Sequence, residues 1–145
     1  MDHSDVRIVE LTTEAEWRRA YPVMSELRPY LEEEGYLRLL REMRKEGYRL
    51  FALLEGDEIA AVAGVTVWTT FYYGRHVFVY DLVTQSDRRS RGYGRKLLNH
   101  VERWAEERGC ERVALSSNQA RKEAHRFYEE KMGYRKPSYQ FVKEL

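Results

Sequence analysis

The chain has 145 residues, with 25 Lys and Arg against 24 Asp and Glu and a formal net charge of +1 at pH 7. That length suits one domain with a full core, and the near balance of charge argues against nucleic acid as a partner, because nucleic-acid-binding domains carry a clear basic excess. Cys110 is the only cysteine, and the four histidines (His3, His76, His100, His125) lack ligand spacing, so neither an intrachain disulfide nor a metal site is expected. No apolar stretch approaches the roughly 20 residues that span a bilayer. The N-terminus also has no apolar signal core, so the expectation is a cytoplasmic protein that engages no membrane.

Val6 to Leu11 alternates apolar and polar residues and reads as a first strand. Thr13 with Glu16 forms a capping box that opens a helix with Trp17, Ala20, Tyr21, Met24 and Leu27 on one face. Pro29 marks a break. A second helix from about Leu31 to Glu46 presents Tyr36, Leu37, Leu40 and Met43, and Gly47 is its terminator. Tyr48 to Leu54 and Ile59 to Thr70 read as strands joined by a hairpin turn at Glu55-Gly56-Asp57-Glu58, and a further strand runs from Val77 to Val83. A polar turn then leads into a helix with Leu97, Leu98, Val101, Trp104 and Ala105 at helical spacing, ending near Arg108 before Gly109. Arg112 to Ser116 is a short strand, Arg121 to Met132 a last helix with Gly133 as its stop, and Tyr139 to Val142 a final strand. Three strands in hairpin succession imply an antiparallel portion, and the later strand, helix and strand imply a parallel crossover. The expected fold class is α/β (α+β by some schemes), a mixed sheet with helices on both faces in one domain over residues 1–145.

The odd feature is the charge between strand and helix. Arg88, Arg89, Arg91, Arg95 and Lys96 crowd the place where the helix begins, although a helix N-terminus carries partial positive charge that disfavours cations. A bound phosphate would remove the conflict. Backbone N–H groups, opened to close approach by Gly92 and Gly94, would cradle its oxygens while arginines bind it through charge-assisted hydrogen bonds. The alternative is a solvated turn with surface arginines. Ligands on open α/β sheets sit beyond the C-terminal ends of parallel strands, which is where this turn falls. A P-loop would need Gly-Lys-Ser/Thr, which is absent, and a dinucleotide fingerprint would need a third glycine where Leu97 stands.

Arg89-Ser90-Arg91-Gly92-Tyr93-Gly94, following an apolar strand, resembles motif A of the GCN5-related N-acetyltransferases, Arg/Gln-x-x-Gly-x-Gly/Ala. Ala124-His125-Arg126-Phe127-Tyr128 with Gly133-Tyr134 resembles their motif B, and the order of elements fits over nearly the whole chain. The segment LSSNQARKEAHRFYEEKMGY is similar to that of small-molecule members such as the aminoalkylphosphonate N-acetyltransferases. The resemblance implies a mostly antiparallel twisted sheet of six to seven strands with four helices. It also implies acetyl-CoA as co-substrate and direct transfer, in a ternary complex, to the primary amine of a small molecule. A protein or peptide N-acetyltransferase and a non-catalytic acetyl-CoA sensor are the competing readings.

By the same resemblance the pyrophosphate lies on Arg89, Ser90, Arg91, Gly92, Tyr93, Gly94 and Arg95. The pantetheine arm pairs like an extra strand with Leu82, Val83 and Thr84, where Thr84 replaces a common Val. Tyr128 is the matching acid for the departing thiolate, although its spacing with Ala124, Phe127 and Met132 equally suits a core stripe. Arg121 stands where many members have an Asn that contacts the cofactor, and Asn118 lies three residues earlier. Arg121 then touches the cofactor or an acidic part of the substrate, or merely occupies the first turn of the helix.

Asp81 lies in an apolar strand, flanked by Tyr80 and Leu82, where a carboxylate has no packing reason to be. It is either the base that takes the amine proton, directly or through water, or a carboxylate that pairs with an arginine or caps a turn. Tyr80 is the fallback, expected on the opposite face because side chains alternate along a strand. Cys110 follows the helix-ending glycine without an activating base, which favours direct transfer over a cysteine acyl-enzyme. Trp17, Tyr21, Tyr30, Tyr36, Trp68, Phe71, Tyr72 and Tyr73 offer ring faces for an ammonium group, or serve as core, or form the contact of a homodimer. Glu32, Glu33 and Glu34 suit a cationic acceptor and a solvated helix start equally well.

Overall fold

In the computed structural model, which describes residues 5–145 and so leaves His3 outside, β1 (Val6–Leu11) pairs antiparallel with β2 (Arg49–Glu55). β2 pairs antiparallel with β3 (Glu58–Thr70), and β3 with β4 (Gly74–Thr84). β5 (Arg112–Leu115) lies beside β4, so the order across the five-stranded sheet equals the order along the chain. The Glu111 N–H donates to Arg75 O at 2.7 Å, where both of these strands begin, so β5 runs parallel to β4. The chain divides into two compact units, one ending at Ala114 and the other running from Leu115 to Leu145.

In the first unit α1 (Glu14–Leu27) opens on the expected capping box: Thr13 Oγ1 accepts from the Glu16 N–H at 3.2 Å and Glu16 Oε1 accepts from the Thr13 N–H at 3.0 Å. α1 and α2 (Glu33–Lys45) bury Trp17, Ala20, Met24, Tyr36, Leu37 and Leu40 against Leu50, Ala52, Leu54, Val62 and Val83 of the sheet. Phe51 alternates with Leu50 and Ala52, so it faces the other way. There it meets Trp104 of α3 (Tyr93–Glu107) edge-on, with ring centroids 5.4 Å apart. Leu97, Leu98 and Val101 complete this second apolar layer, so the sheet is covered on both faces.

In the second unit α4 (Lys122–Arg126) continues into a π-helical turn, Phe127–Lys131. Residues 133–145 carry neither helix nor strand. The strand expected from Tyr139 to Val142 is therefore not formed, and the sheet has five strands among the described residues rather than six to seven. Four residues of alternation do not make a strand without a partner edge, and Tyr139, Phe141 and Val142 are exposed.

One irregularity in the β3–β4 ladder positions Tyr80 and Asp81. Gly64 pairs with Asp81 and Val65 with Val79, which leaves Tyr80 as an extra residue in β4. Such a bulge bends its strand and re-aims the side chains around it. Opposite it, Gly64 is required by space, since a Cβ there would overlap the Tyr48 hydroxyl. Gly64→Ala should therefore destabilise the protein by about 1–3 kcal/mol, as overpacking does. The midpoint of urea unfolding should fall by the corresponding amount, and an unchanged midpoint would show that Tyr48 is free to move aside.

Candidate functional site

β4 ends at Thr84, and the chain passes through a 3-10 turn (Ser86–Arg88) into α3, whose start has no side-chain cap. Ser90, at φ 67°, is the only non-glycine residue with positive φ among the described residues, and Gly92, at φ 78°, is the left-handed residue that precedes the helix. Two left-handed residues so close together turn successive N–H groups toward one side, a concavity suited to an anion. The Lys96 N–H donates to Gly92 O at 3.0 Å, and the N–H groups of Tyr93, Gly94 and Arg95 before it have no acceptor within the helix. Nothing lies within 4 Å of the Cβ that Gly92 lacks, so the approach is open.

The crowding of cations is resolved mostly from within. Glu55, at the end of β2 and 7 % exposed, accepts from Arg88 at 2.8 Å and from Arg91 at 2.8 and 3.1 Å, and it also binds the Tyr93 hydroxyl. Arg88 further pairs with Glu58 across the hairpin. The Arg91 guanidinium, expected to be free for a phosphate, is thus turned to Glu55, and Tyr93 is buried. What Arg91 and Tyr93 offer to the turn is backbone N–H. The Tyr93 hydroxyl, followed by Arg91 and Arg88, holds the Glu55 carboxyl below its ordinary range against the opposing effect of burial. Glu26 of α1 accepts from the Ser86 N–H at 3.0 Å and lies 3.8 Å from Arg89, whose side chain remains 61 % exposed. The exposed side chains of Arg95 and Lys96 form no ion pair among the described residues.

Beside this turn runs an open strand edge. The Gln85 N–H donates to Ala60 O at 2.8 Å, so alternation directs the amide groups of Val83 and Asp81 toward β3 and those of Leu82 and Thr84 toward the other side. β5, which starts opposite Arg75 and has four residues, ends before this part of β4. Of the three residues expected to pair with an extended ligand arm, Leu82 and Thr84 thus present their N–H and C=O groups outward, the Thr84 carbonyl accepting from Arg89 Nε at 3.4 Å, while those of Val83 join the ladder with β3.

Asp81 is 7 % exposed and has partners on both oxygens. Arg28, at the C-terminus of α1, donates to Oδ1 at 3.0 Å and to Tyr80 O at 2.8 Å, and the Tyr48 hydroxyl donates to Oδ2 at 2.7 Å. Burial, followed by the charge of Asp81, pushes the Tyr48 phenol well above its ordinary value, so it stays protonated as the donor. Tyr80 does not lie on the opposite face, as simple alternation predicts. The bulge places it on the side of Asp81, where Trp68 Nε1 donates to its hydroxyl at 2.9 Å and the Phe78 ring stands 4.6 Å away. Trp68, Tyr80, Tyr30 and Tyr72 are exposed here, whereas Trp17 and Tyr36 are core.

Within the second unit Tyr128 is buried in the π-turn, with its ring 5.4 Å from that of Phe127 and 6.2 Å from that of Tyr134. Burial raises the Tyr128 phenol, and Arg121 beside it pulls the other way. Arg121 precedes α4, and Asn118 is absorbed in the local turn, its Oδ1 accepting from the Ala120 N–H at 2.9 Å. Glu55, Glu26, Arg28 and Tyr48 were not singled out by the sequence. Glu55 reads as part of the hairpin turn, and the only local hint is a carboxylate closing the apolar run LFALL.

Three comparisons bear on this geometry. The Acetyltransferase (GNAT) family matches residues 11–134. An uncharacterized N-acetyltransferase of Bacillus subtilis (strain 168), YhdJ, is 44 % identical over 141 residues, covering 97 % of this chain and 99 % of its own. Among solved structures, a transcriptional regulator from Bacillus halodurans C-125 superposes with a TM-score of 0.82 at 26 % identity, covering 97 % of this chain and 99 % of the other. The aminoglycoside N-acetyltransferase AAC(6')-Iy in complex with CoA superposes at 0.84 with 14 % identity, covering 97 % and 94 %, which is a likeness of fold.

Removing the Tyr48 hydroxyl leaves a buried carboxylate oxygen without its donor. Tyr48→Phe should cost about 1–3 kcal/mol in urea unfolding, and no loss would mean that water replaces the phenol.

Proposed function

Because this chain belongs to the acetyltransferase (GNAT) family, and is thereby an N-acetyltransferase using acetyl-CoA, we propose that it acetylates the primary amine of a small molecule by direct transfer in a ternary complex. The observation that carries the reading is the uncapped start of α3. Free N–H groups from Gly92 to Arg95, with Arg89 and Arg95 exposed beside them, form a cationic concavity that fits a diphosphate. Next to it, the outward amides of Leu82 and Thr84 supply donors and acceptors for the two amides of a pantetheine arm. When bound, acetyl-CoA supplies the activated acetyl group as a thioester.

The chain's own residues then have separate tasks. Tyr128, a phenol protonated at neutral pH even at its ordinary value, gives its proton to the thiolate as it departs. Asp81 takes the amine proton through a water, since Arg28 and Tyr48 hold its two oxygens. The exposed rings of Trp68 and Tyr80, on the face of Asp81, flank the amine and favour a small organic acceptor. An aminoalkylphosphonate would also need a free cation for its phosphonate, and Arg28 is already paired. The one-domain reading over residues 1–145 and the cytoplasmic reading belong to the same proposal. No helix among the described residues is long and apolar enough to cross a membrane.

Thiol release from acetyl-CoA over a panel of arylalkylamines, polyamines, aminosugars, aminoalkylphosphonates and peptides tests the whole. Turnover confined to peptides would replace the small-amine reading, and no turnover on any amine would favour the sensor. Tyr128→Phe should leave CoA affinity unchanged while kcat falls about 100-fold or more. Asp81→Asn should lower kcat without changing the KM for acetyl-CoA. If the folded Asn variant keeps full kcat, Asp81 serves only to hold the bulge.

A further inference from the structure

Glu55 has no part in the chemistry above, yet it is bonded to more of the turn than any other side chain. It closes an apolar strand, is almost fully buried, and gathers Arg88, Arg91 and Tyr93, three residues of the six from Arg88 to Tyr93. Between these donors lie Ser90 and Gly92, the two residues held in the left-handed region. A non-glycine residue in that region is strained and persists only when its surroundings impose it. The bonds to Glu55 supply that imposition from both sides. Two like-charged guanidinium groups are also brought together there, which without the carboxylate would push the turn apart.

We propose that Glu55 is a positioning residue for the acetyl-CoA diphosphate: it holds the turn from Arg88 to Tyr93 in its anion-ready shape before the ligand arrives. This rests on the reading of that turn as the diphosphate site. The charge of Glu55 acts in the opposite sense, since it repels an anion. Arg88 and Arg91, paired with it, offset that charge, and the N–H groups that meet the anion belong to the backbone Glu55 fixes. Shape therefore outweighs repulsion. Leaving two or three residues to be ordered upon binding weakens affinity by roughly tenfold or more.

The test is Glu55→Gln, which preserves volume and removes the charge that gathers the donors. CoA affinity by titration calorimetry and acetyl-CoA kinetics are measured together with thermal unfolding. The expected result is a rise of about tenfold in the CoA Kd and the acetyl-CoA KM, with kcat at saturation within twofold of the parent. Glu55→Asp, which retains the charge on a shorter arm, should recover part of the loss and provides the measurement if the Gln variant does not fold. A lowered melting temperature with unchanged Kd and KM would reduce Glu55 to a structural role. A tighter Kd would mean that its charge masks the site. Either result overturns the proposal. Arg89→Ala separates this from the underlying reading. If it weakens CoA binding while Glu55→Gln does not, only the role of Glu55 falls, and if neither variant weakens it, the turn is not the diphosphate site.

Discussion

α3 begins without a side-chain cap, and that open terminus is the constraint around which the first unit is arranged. Uncapped N–H groups at a helix start attract an anion and repel cations, yet this start is surrounded by arginines. The protein resolves the conflict by dividing the cations. Arg88 and Arg91 are neutralised by Glu55 and Glu58 from the β2–β3 hairpin, whereas Arg89 and Arg95 remain exposed. The turn is thus fastened on its inner side and left cationic on its outer side. The same division leaves backbone, rather than the guanidinium groups of Arg91 and Arg88, as the main donor surface.

The second organising feature is the extra residue in β4. The bulge at Tyr80 frees its carbonyl for Arg28, brings Tyr80 and Asp81 onto one face, and is held by a carboxylate that Arg28 and Tyr48 share. Removing one partner of such a buried group costs more than the group contributes in the intact network, because the charge is left uncompensated. Gly64 is a direct consequence, since only the absence of a side chain lets the Tyr48 hydroxyl reach Asp81 through that space. Beyond the bulge, β4 outruns β5, and the outward amides of Leu82 and Thr84 follow from strand alternation alone.

Much of this was legible in the residues because it is local. The capping box of Thr13 and Glu16, the stop at Gly47, the hairpin at Gly56 and the helical stripe of Leu97, Leu98, Val101 and Trp104 each depend on neighbours a few positions away. The glycine-containing turn before α3 was legible for the same reason. What could not be read depends on register. A single inserted residue reverses the face of Tyr80, and no pattern in the strand announces it. Glu55 meets Arg91 from 36 positions away, and Arg28 meets Asp81 from 53. Long-range ion pairs of this kind have no periodicity to follow. The segment from Tyr139 to Val142 shows the reverse error, an alternation that no partner strand completes.

The central claim is that the backbone at the start of α3 receives the diphosphate while Glu55 keeps its arginines. A crystal structure of the protein with CoA tests it most directly. Diphosphate oxygens are expected within hydrogen-bond distance of the N–H groups between Gly92 and Arg95, with Arg91 still on Glu55. A diphosphate bound away from this turn, or one that draws Arg91 off Glu55 and leaves those N–H groups without it, would contradict the account.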